Sequence, residues 1–566
     1  MKKFLTITIA CMTIATSIVN GQSTAQKNIE NKIADAVLLY ENGNTIDARN
    51  VLRSITSAAR GNDAAFYYLG LCNADLGDIE SAIANFKKAS ELDPGNFWYK
   101  QRLATVYAAT KNEELAQNTY ENLLKDYPKK NEIYYSLCDL YLQQGQYDNA
   151  LSTLDCIDVI FGKSEAAATT RYQIYMAQQK PTEAVNALKD YNKDYSSPSI
   201  LARLGDCEMS EYKDTAALRY YDEALSLAQD YAPALLGKAE VFRTQRNYES
   251  FFSTLRTFVG NEDIAIVPKC QYLSALLQRS PNSFLKTFRS DIDSVVEQCV
   301  STAPTDSSAL QMAGLYYYST ERQDKAEDYL KTAVEKNPTS GSAAATYVQM
   351  LVYSGKWQEA VKECDKASAE FPNETGFLEL KTIACYNLKD YKSIISNCEK
   401  IITIARTDTS RTLPAFSTMG DVYHEIGETK KAYKAYETAL KINPNYAPVL
   451  NNYAYYLSEE GRNLKTALKM SKKTADLEPD NPTYLDTYGW ILHLMGNDAE
   501  AKPVFKHAML YGGKESVVIM DHYAEVLYAL GEYDLAKVYW NQAKAKNNGK
   551  ITDLDERVSR RLKKIK

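Results

Sequence analysis

Small and apolar residues recur along this chain with a period of 34 residues. Five alanines show the period most plainly: Ala48, Ala82, Ala116, Ala150 and Ala184. An alanine or glycine and an aromatic or leucine residue stand at fixed distances from each of them. A unit of this length forms two helices that cannot bury their apolar faces alone, so each unit must stack on a copy of itself. The pattern therefore predicts an all-α array of helix pairs with one continuous core.

One clear copy shows how such a unit is built. Gly70 falls in the predicted first helix, and Ala82, Phe86 and Ala89 share one face of the second. The small residues let the two helices approach closely, while Phe86 fills the space between neighbouring pairs. Pro94 ends the second helix because it lacks a backbone donor.

Further copies carry the same residue types at the same spacing. They include Ala104, Tyr107, Ala116, Tyr120 and Pro128; Gly314, Tyr317, Ala326, Leu330 and Pro338; and Gly420, Tyr423, Ala432, Tyr436 and Pro444. With these residues the chain resembles tetratricopeptide repeat proteins over nearly all of its length. The resemblance implies a right-handed α-solenoid of stacked helix-turn-helix repeats, in which the first helix of each repeat lines a concave groove.

The repeat pattern also divides the chain into segments. Repeats begin near residues 29, 63, 97, 131, 165, 198, 232, 307, 341, 375, 413, 447, 482 and 517. The repeat register breaks at 266–306, where two helices are expected at Cys270–Leu277 and Phe284–Val300. It breaks again at the polar run Thr407–Pro414, whose composition predicts a loop. The resulting segments are a signal at 1–21, arrays at 29–265, 307–408 and 413–550, a degenerate helical repeat at 266–306 and a basic capping helix at 551–566.

The last segment is amphipathic. Leu554, Val558 and Leu562 share one helical face, and basic residues such as Arg557 and Arg561 occupy the rest. We expect this helix to cover the apolar face of the last repeat, as solenoids require. The alternative is a basic segment that docks on an acidic partner or a lipid.

The first 21 residues have the character of an export signal. Lys2 and Lys3 precede the apolar stretch Phe4–Val19, and small residues follow it. An uncleaved membrane anchor fits less well, because the stretch is short and diluted by Thr and Ser. We therefore expect an exported protein, periplasmic or associated with the outer membrane of a Gram-negative-type bacterium.

Charge and cysteine content narrow the function classes. The formal net charge of −6 offers no reason to expect nucleic acid or an anionic membrane as partner. The ten cysteines include no CxxC pair, so buried thiols are favoured over a disulfide framework or a zinc site.

No catalytic motif stands out. The chain contains no GxxxxGK loop, no HExxH and no GxSxG. Three of the four histidines fall in first helices of the last repeats, where a metal or proton-transfer site is the alternative to polar groove residues. Their spacing matches no ligand motif, so we expect no enzyme, no catalytic residues, no metal and no cofactor.

The resemblance places candidate partner-binding residues on the first helices of the last three repeats. These residues are Asn451, Tyr455, Asp486, Trp490, His493, Asp521 and Glu525. Polar groups that alternate with aromatic rings suit a peptide-binding strip, since the rings supply contact area and the polar groups fix orientation. Alternatively, the rings pack between helices and the carboxylates are only solvated.

The charge of this strip predicts the kind of partner. Carboxylates at Asp421, Asp486 and Asp521 would repel a carboxylate ligand, so we expect a neutral or basic peptide or protein. The sequence thus favours an exported scaffold that binds protein partners in the cell envelope. The alternative is an accessory protein of polysaccharide export, with sugars stacked on Trp98, Tyr455 and Trp490.

Overall fold

A computed structural model describes residues 24–549 and 551–563 of the chain. The expected signal at 1–21 lies outside these residues. The described part is α-helical, apart from turns and one short 3-10 helix, and contains no β-strand. It divides into two compact units, the first ending at Phe258 and the second beginning at Val259.

Seven helix pairs build the first unit, with the last helix running past its boundary. The helices are α1 (Thr24–Glu41), α2 (Thr45–Ala58), α3 (Asp63–Asp75), α4 (Ile79–Leu92), α5 (Phe97–Ala109), α6 (Glu113–Asp126), α7 (Asn131–Gln143), α8 (Tyr147–Phe161), α9 (Glu165–Ala177), α10 (Pro181–Asp194), α11 (Pro198–Ser210), α12 (Asp214–Leu227), α13 (Ala232–Thr244) and α14 (Tyr248–Gly260).

Three helices open the second unit and helix pairs follow. The helices are α15 (Ile266–Arg279), α16 (Asn282–Thr287), α17 (Arg289–Thr302), α18 (Ser307–Ser319), α19 (Gln323–Lys336), α20 (Gly341–Tyr353), α21 (Trp357–Glu370), α22 (Thr375–Asn387), α23 (Tyr391–Ala405), α24 (Thr409–Glu425), α25 (Thr429–Ile442), α26 (Ala447–Glu459), α27 (Leu464–Leu477), α28 (Pro482–Leu494), α29 (Asp498–Leu510), α30 (Val517–Ala529), α31 (Tyr533–Lys546) and α32 (Leu554–Lys563). The 3-10 helix Gly513–Glu515 lies before α30.

The two helices of a pair approach closely at small residues, as the sequence predicts, and a large residue also packs between them within the same pair. Ala82 and Phe86 are fully buried on α4. A Cβ added at Gly70 on α3 would lie 2.6 Å from Cε1 of Phe86, so only glycine fits there without a shift. The expected all-α fold of stacked helix-turn-helix repeats is confirmed for the described residues.

The two irregular stretches differ from the sequence expectation. Residues 266–302 form three helices, α15 to α17, where two were expected. Residues 280–281 and 288 separate these helices. The prediction of a loop at 407–414 is wrong, because α24 begins at Thr409 and Pro414 lies inside it. The Asp408 carboxylate caps this helix by accepting a hydrogen bond from the Ser410 amide at 3.0 Å. The guanidinium of Arg411 binds both Thr375 and Glu379 of α22. These contacts with a neighbouring helix favour a helix over a loop at this stretch.

Alanine at the close-contact glycines should loosen single repeats. The added Cβ would lie 2.2 Å from Cε1 of Tyr436 in Gly420→Ala and 2.6 Å from Cε2 of Phe505 in Gly489→Ala. We expect each variant to lose about 1–3 kcal/mol in the free energy of unfolding, measured by urea denaturation, because over-packing forces the helices apart.

Gly376→Ala is the matched control, since no atom lies within 4 Å of the added Cβ. Its stability should be unchanged or slightly higher, because alanine favours the helix. Hydrogen exchange should show loosening confined to the altered repeat and its neighbours. A single all-or-none opening of the whole chain would contradict this picture.

Candidate functional site

The first helices of consecutive repeats in the second unit surround a polar cavity of about 430 Å³. Its lining comes from α22, α24, α26, α28 and the start of α30. Three predicted partner-binding residues lie there: Asn451, Tyr455 and Asp486. The other lining residues are Tyr386, Asp421, Asn452, Tyr456, Thr483, Thr487, Ser516, Val518 and Ile519.

A 35-residue spacing explains which side chains meet between neighbouring first helices. An acceptor position recurs on the helices α26, α28 and α30 as Asn451, Asp486 and Asp521, each of which carries a side-chain oxygen. A second position recurs one turn later as Tyr455, Trp490 and Glu525, of which only Glu525 is a carboxylate. A donor position recurs at the same spacing on α26, α28, α30 and α32: Asn452, Thr487, His522 and Arg557. Asn452, His522 and Arg557 each contact a carboxylate of the preceding first helix.

Asp421 forms one wall of the cavity and is held by two donors. Its carboxylate accepts hydrogen bonds from the Tyr436 hydroxyl and from Nδ2 of Asn452, the latter at 3.0 and 3.2 Å. Burial raises the pKa of Asp421, while these hydrogen bonds and the nearby His424 oppose the rise. The carboxyl is therefore fixed in position beside the cavity.

Asp486 and Trp490 share one partner on α30. Nδ1 of His522 lies 2.9 Å from Oδ1 of Asp486, and the imidazole stacks on the Trp490 ring with centroids 4.0 Å apart and planes inclined by 11°. Nε1 of Trp490 is buried and has no hydrogen-bond partner among the described residues. His493 pairs with Asp498, the first residue of α29. Trp490 and His493 therefore pack between helices and do not line the cavity.

Asp521 and Glu525 are not open to a partner, which corrects the sequence expectation. Arg557 of α32 donates to both carboxylates, and Nη2 of Arg561 lies 3.0 Å from Oε2 of Glu525. Nε1 of Trp540 donates to the other oxygen of Asp521 at 3.1 Å. Both carboxylates are consequently buried, with 4% and 5% of their residue surface exposed.

The amphipathic helix α32 sits over the last repeat pair through its apolar face. Leu554 and Val558 are fully buried in the cluster that contains Trp540. The basic side is only partly solvated, because Arg557 reaches α30 instead of water. Helix α32 thus takes the place of a further first helix, with Arg557 at its donor position.

The interface between α26 and α28 is the exception to this pattern. The donor position there is Thr487, whose hydroxyl donates to the Thr483 carbonyl of its own helix at 3.3 Å. Asn451 is only 5% exposed, and its Oδ1 has no hydrogen-bond partner among the described residues. The cavity lies at this interface.

Sequence reasoning missed the donor position. Asn452, Thr487 and Arg557 were not among the predicted site residues, although their 35-residue spacing is visible in the sequence. The spacing alone does not show that Arg557 belongs to the same series, because the repeat pattern fades beyond α31. The contact between α32 and α30 supplies that link.

Among the described residues there is no cluster of His, Cys, Asp and Glu able to hold a metal ion. All nine cysteines in this part of the chain are free, and seven are buried. Of the aromatic residues proposed to stack on sugars, Trp98 lies in the first unit, and one face of Trp490 is covered by His522.

The His522–Asp486 pair predicts a pH dependence of stability. Burial disfavours the charged imidazole, but the charge of Asp486 and its hydrogen bond outweigh burial and raise the pKa of His522 above 6.5. The stabilisation is therefore fully present below pH 6.5 and is lost as the pH rises through the raised pKa. We expect urea denaturation to show a fall in unfolding free energy over that range, which His522→Gln should abolish. An identical pH profile in the variant would assign the dependence to other groups.

The fold and its stacked first helices define an α-helical repeat protein, and the family profiles identify the class. Tetratricopeptide repeat profiles match residues 34–97, 73–137, 307–340 and 372–548, which together include more than half of the chain. The chain therefore belongs to the tetratricopeptide repeat family. Repeats of this family commonly present extended concave surfaces for binding.

Individual relatives are distant. The chain is 24% identical to the Protein CTR9 homolog of Arabidopsis thaliana over 359 residues, which cover 60% of this chain and 31% of that protein. It is 22% identical to the type IV pilus assembly protein PilF of Pseudomonas aeruginosa over 161 residues, 28% of this chain and 64% of that one. The chain thus spans less than two thirds of either relative.

A solved tetratricopeptide repeat protein from Parabacteroides merdae is 15% identical and superposes with a TM-score of 0.37, covering 45% of this chain and 98% of that one.

None of the helices described between residues 24 and 563 has the length and apolar character needed to cross a bilayer.

Proposed function

We propose that this chain is a non-catalytic scaffold that holds a protein partner in the cavity formed by α22, α24, α26, α28 and the start of α30. The observation that carries the proposal is the lining of that cavity. Polar side chains from Asp421, Asn451 and Asp486 lie beside the rings of Tyr386 and Tyr455. Such a mixture provides both contact area and oriented hydrogen bonds for a polypeptide.

The charge of the lining supports a neutral or basic partner. Of the described residues that line the cavity, two carry carboxylates and none is lysine or arginine. An acidic segment would be repelled there, whereas a basic one would be attracted. The buried state of Asp521 and Glu525 removes those two residues from the proposed surface and confines it to the earlier repeats.

The proposed location is the envelope of a Gram-negative-type bacterium. Its support is the sequence of the first residues, with Lys2 and Lys3 before the apolar stretch Phe4–Val19. N-terminal sequencing of the protein purified from the cell envelope should begin close to Gln22. Recovery of the chain with Met1 intact from the cytosol would contradict this location.

Site-specific photo-cross-linking in the native cells tests the proposed binding surface. A photoreactive phenylalanine at Tyr386, which is 57% exposed and lines the cavity, should form an adduct with one protein partner. The control position is Val538 on the second helix α31, which is 47% exposed and does not line the cavity. Adducts at Val538 but not at Tyr386 would overturn the proposed surface.

A further inference from the structure

At three of the interfaces between successive first helices from α24 to α32, a nitrogen donor on one helix satisfies acceptors on the helix before it. Asn452 of α26 donates to Asp421 of α24 at 3.0 Å. His522 of α30 pairs with Asp486 of α28 at 2.9 Å. Arg557 of α32 donates to Asp521 and Glu525 of α30. The donors differ in size and charge, but each one links the two helices through a hydrogen bond from an N–H group.

The interface between α26 and α28 lacks such a donor among the described residues. Thr487 occupies the donor position, and its short side chain bonds to Thr483 within its own helix. Across the interface, the acceptor Asn451 keeps an unpartnered Oδ1 although only 5% of the residue is exposed. A buried acceptor without a partner costs free energy, so a donor that enters the cavity and reaches this amide would relieve that cost.

The surroundings of Asn451 favour a cationic donor. Asp421 and Asp486 line the same cavity, and the groups that face their charge are the imidazoles of His424 and His522. The rings of tyrosines 386 and 455 line it as well, and aromatic faces attract cations. A planar guanidinium combines several donors with a positive charge and stacks on aromatic rings, which an ammonium does less well.

We propose that the cavity receives the guanidinium of an arginine from the partner polypeptide, which binds Asn451 between Asp421 and Asp486 and completes the missing contact at Thr487. The inference rests on the proposed function, because it takes this cavity as the partner-binding surface. Arg557 provides the intramolecular precedent, since its guanidinium occupies the corresponding donor position further along the chain and bridges two acceptors.

Peptide binding to the whole chain tests this directly. The probes are two fluorescent peptides with blocked termini and an identical neutral sequence, one carrying a single arginine and the other citrulline in its place. Citrulline keeps the shape and loses the charge. Fluorescence polarisation should show the arginine peptide binding roughly tenfold or more tightly than the citrulline peptide, because hydrogen bonds to a charged donor are the stronger ones.

Thr487→Arg should abolish this preference, because the new side chain fills the donor position from within. The matched control is Thr466→Arg, which adds the same charge at an exposed position of α27. If Thr487→Arg does not fold, Asn451→Leu serves instead: it removes the acceptor and should reduce binding of the arginine peptide by a similar factor.

Equal binding of the two peptides, no binding of either, or an unchanged preference in both Thr487→Arg and Asn451→Leu would overturn the inference. Cross-linking from Tyr386 distinguishes a failure of the arginine inference from a failure of the proposed function. If that cross-link forms while the arginine preference is absent, the cavity binds a partner by other contacts. If the cross-link also fails, the proposed function itself is wrong.

Discussion

We expect Arg557→Met to lower the free energy of unfolding of the last repeats by about 3 kcal/mol, since it leaves two buried carboxylates without their main partner. Asp521 and Glu525 are 4% and 5% exposed, and Arg557 donates to both. Methionine keeps most of the side-chain volume, so the loss reflects charge and hydrogen bonding. Urea denaturation measures it, and hydrogen exchange should show α32 and α30 opening together.

Arg560→Met is the matched control on the same helix. Its guanidinium pairs with Glu556 at the surface, where 69% and 77% of the two side chains are exposed. Such a pair contributes about 0.5 kcal/mol or less. Adding Asp521→Asn and Glu525→Gln to Arg557→Met should restore part of the stability, because the buried charges are then gone. Equal losses in Arg557→Met and Arg560→Met would contradict the buried ion-pair cluster.

The second large effect is expected for Trp540→Ala, with a loss of about 3–5 kcal/mol. Trp540 is fully buried on α31, donates to Asp521 and packs in the cluster that holds Leu554 and Val558 of α32. Its removal leaves a cavity and one acceptor without its donor. Urea denaturation should show the loss, and α32 should lose its protection against hydrogen exchange.

Trp98→Ala provides the control for the same substitution in a solvated place. Trp98 is 49% exposed and contacts the Phe97 ring edge-on. Its loss should therefore cost about 1 kcal/mol or less. A small effect at Trp540, close to that at Trp98, would mean that α32 does not depend on the last repeat for its position.

Repetition makes the fold predictable from sequence. Because each repeat buries the same small and large residues, their spacing alone predicts close approach of the two helices in a pair. A Cβ added at Gly420 would lie 2.2 Å from Cε1 of Tyr436, which shows how close that approach is. The predicted starts of most repeats coincide with helix starts, for example Phe97 of α5 and Pro482 of α28. Local composition predicts the wrong structure where contacts with another helix determine it. At 409–414 the polar residues predict a loop, but Arg411 binds α22 and the segment is helical.

The candidate site is predictable only in part. The resemblance places Asn451, Tyr455 and Asp486 on neighbouring first helices, and all three line the cavity. It cannot show that Asp521 and Glu525 are covered, because the arginine that pairs with both lies on α32, beyond the recognisable repeats. The missing donor between α26 and α28 becomes visible only by comparison with the filled interfaces on either side.

Hydrogen exchange of the whole chain, alone and bound to the partner captured at Tyr386, tests the central claim most directly. We predict slower exchange on binding in the parts of α26 and α28 that line the cavity, with the first unit unchanged. Thr487→Arg should remove that protection, whereas Thr466→Arg should keep it. Protection confined to α31 and α32, or to the first unit, would contradict the assignment of this cavity as the binding surface.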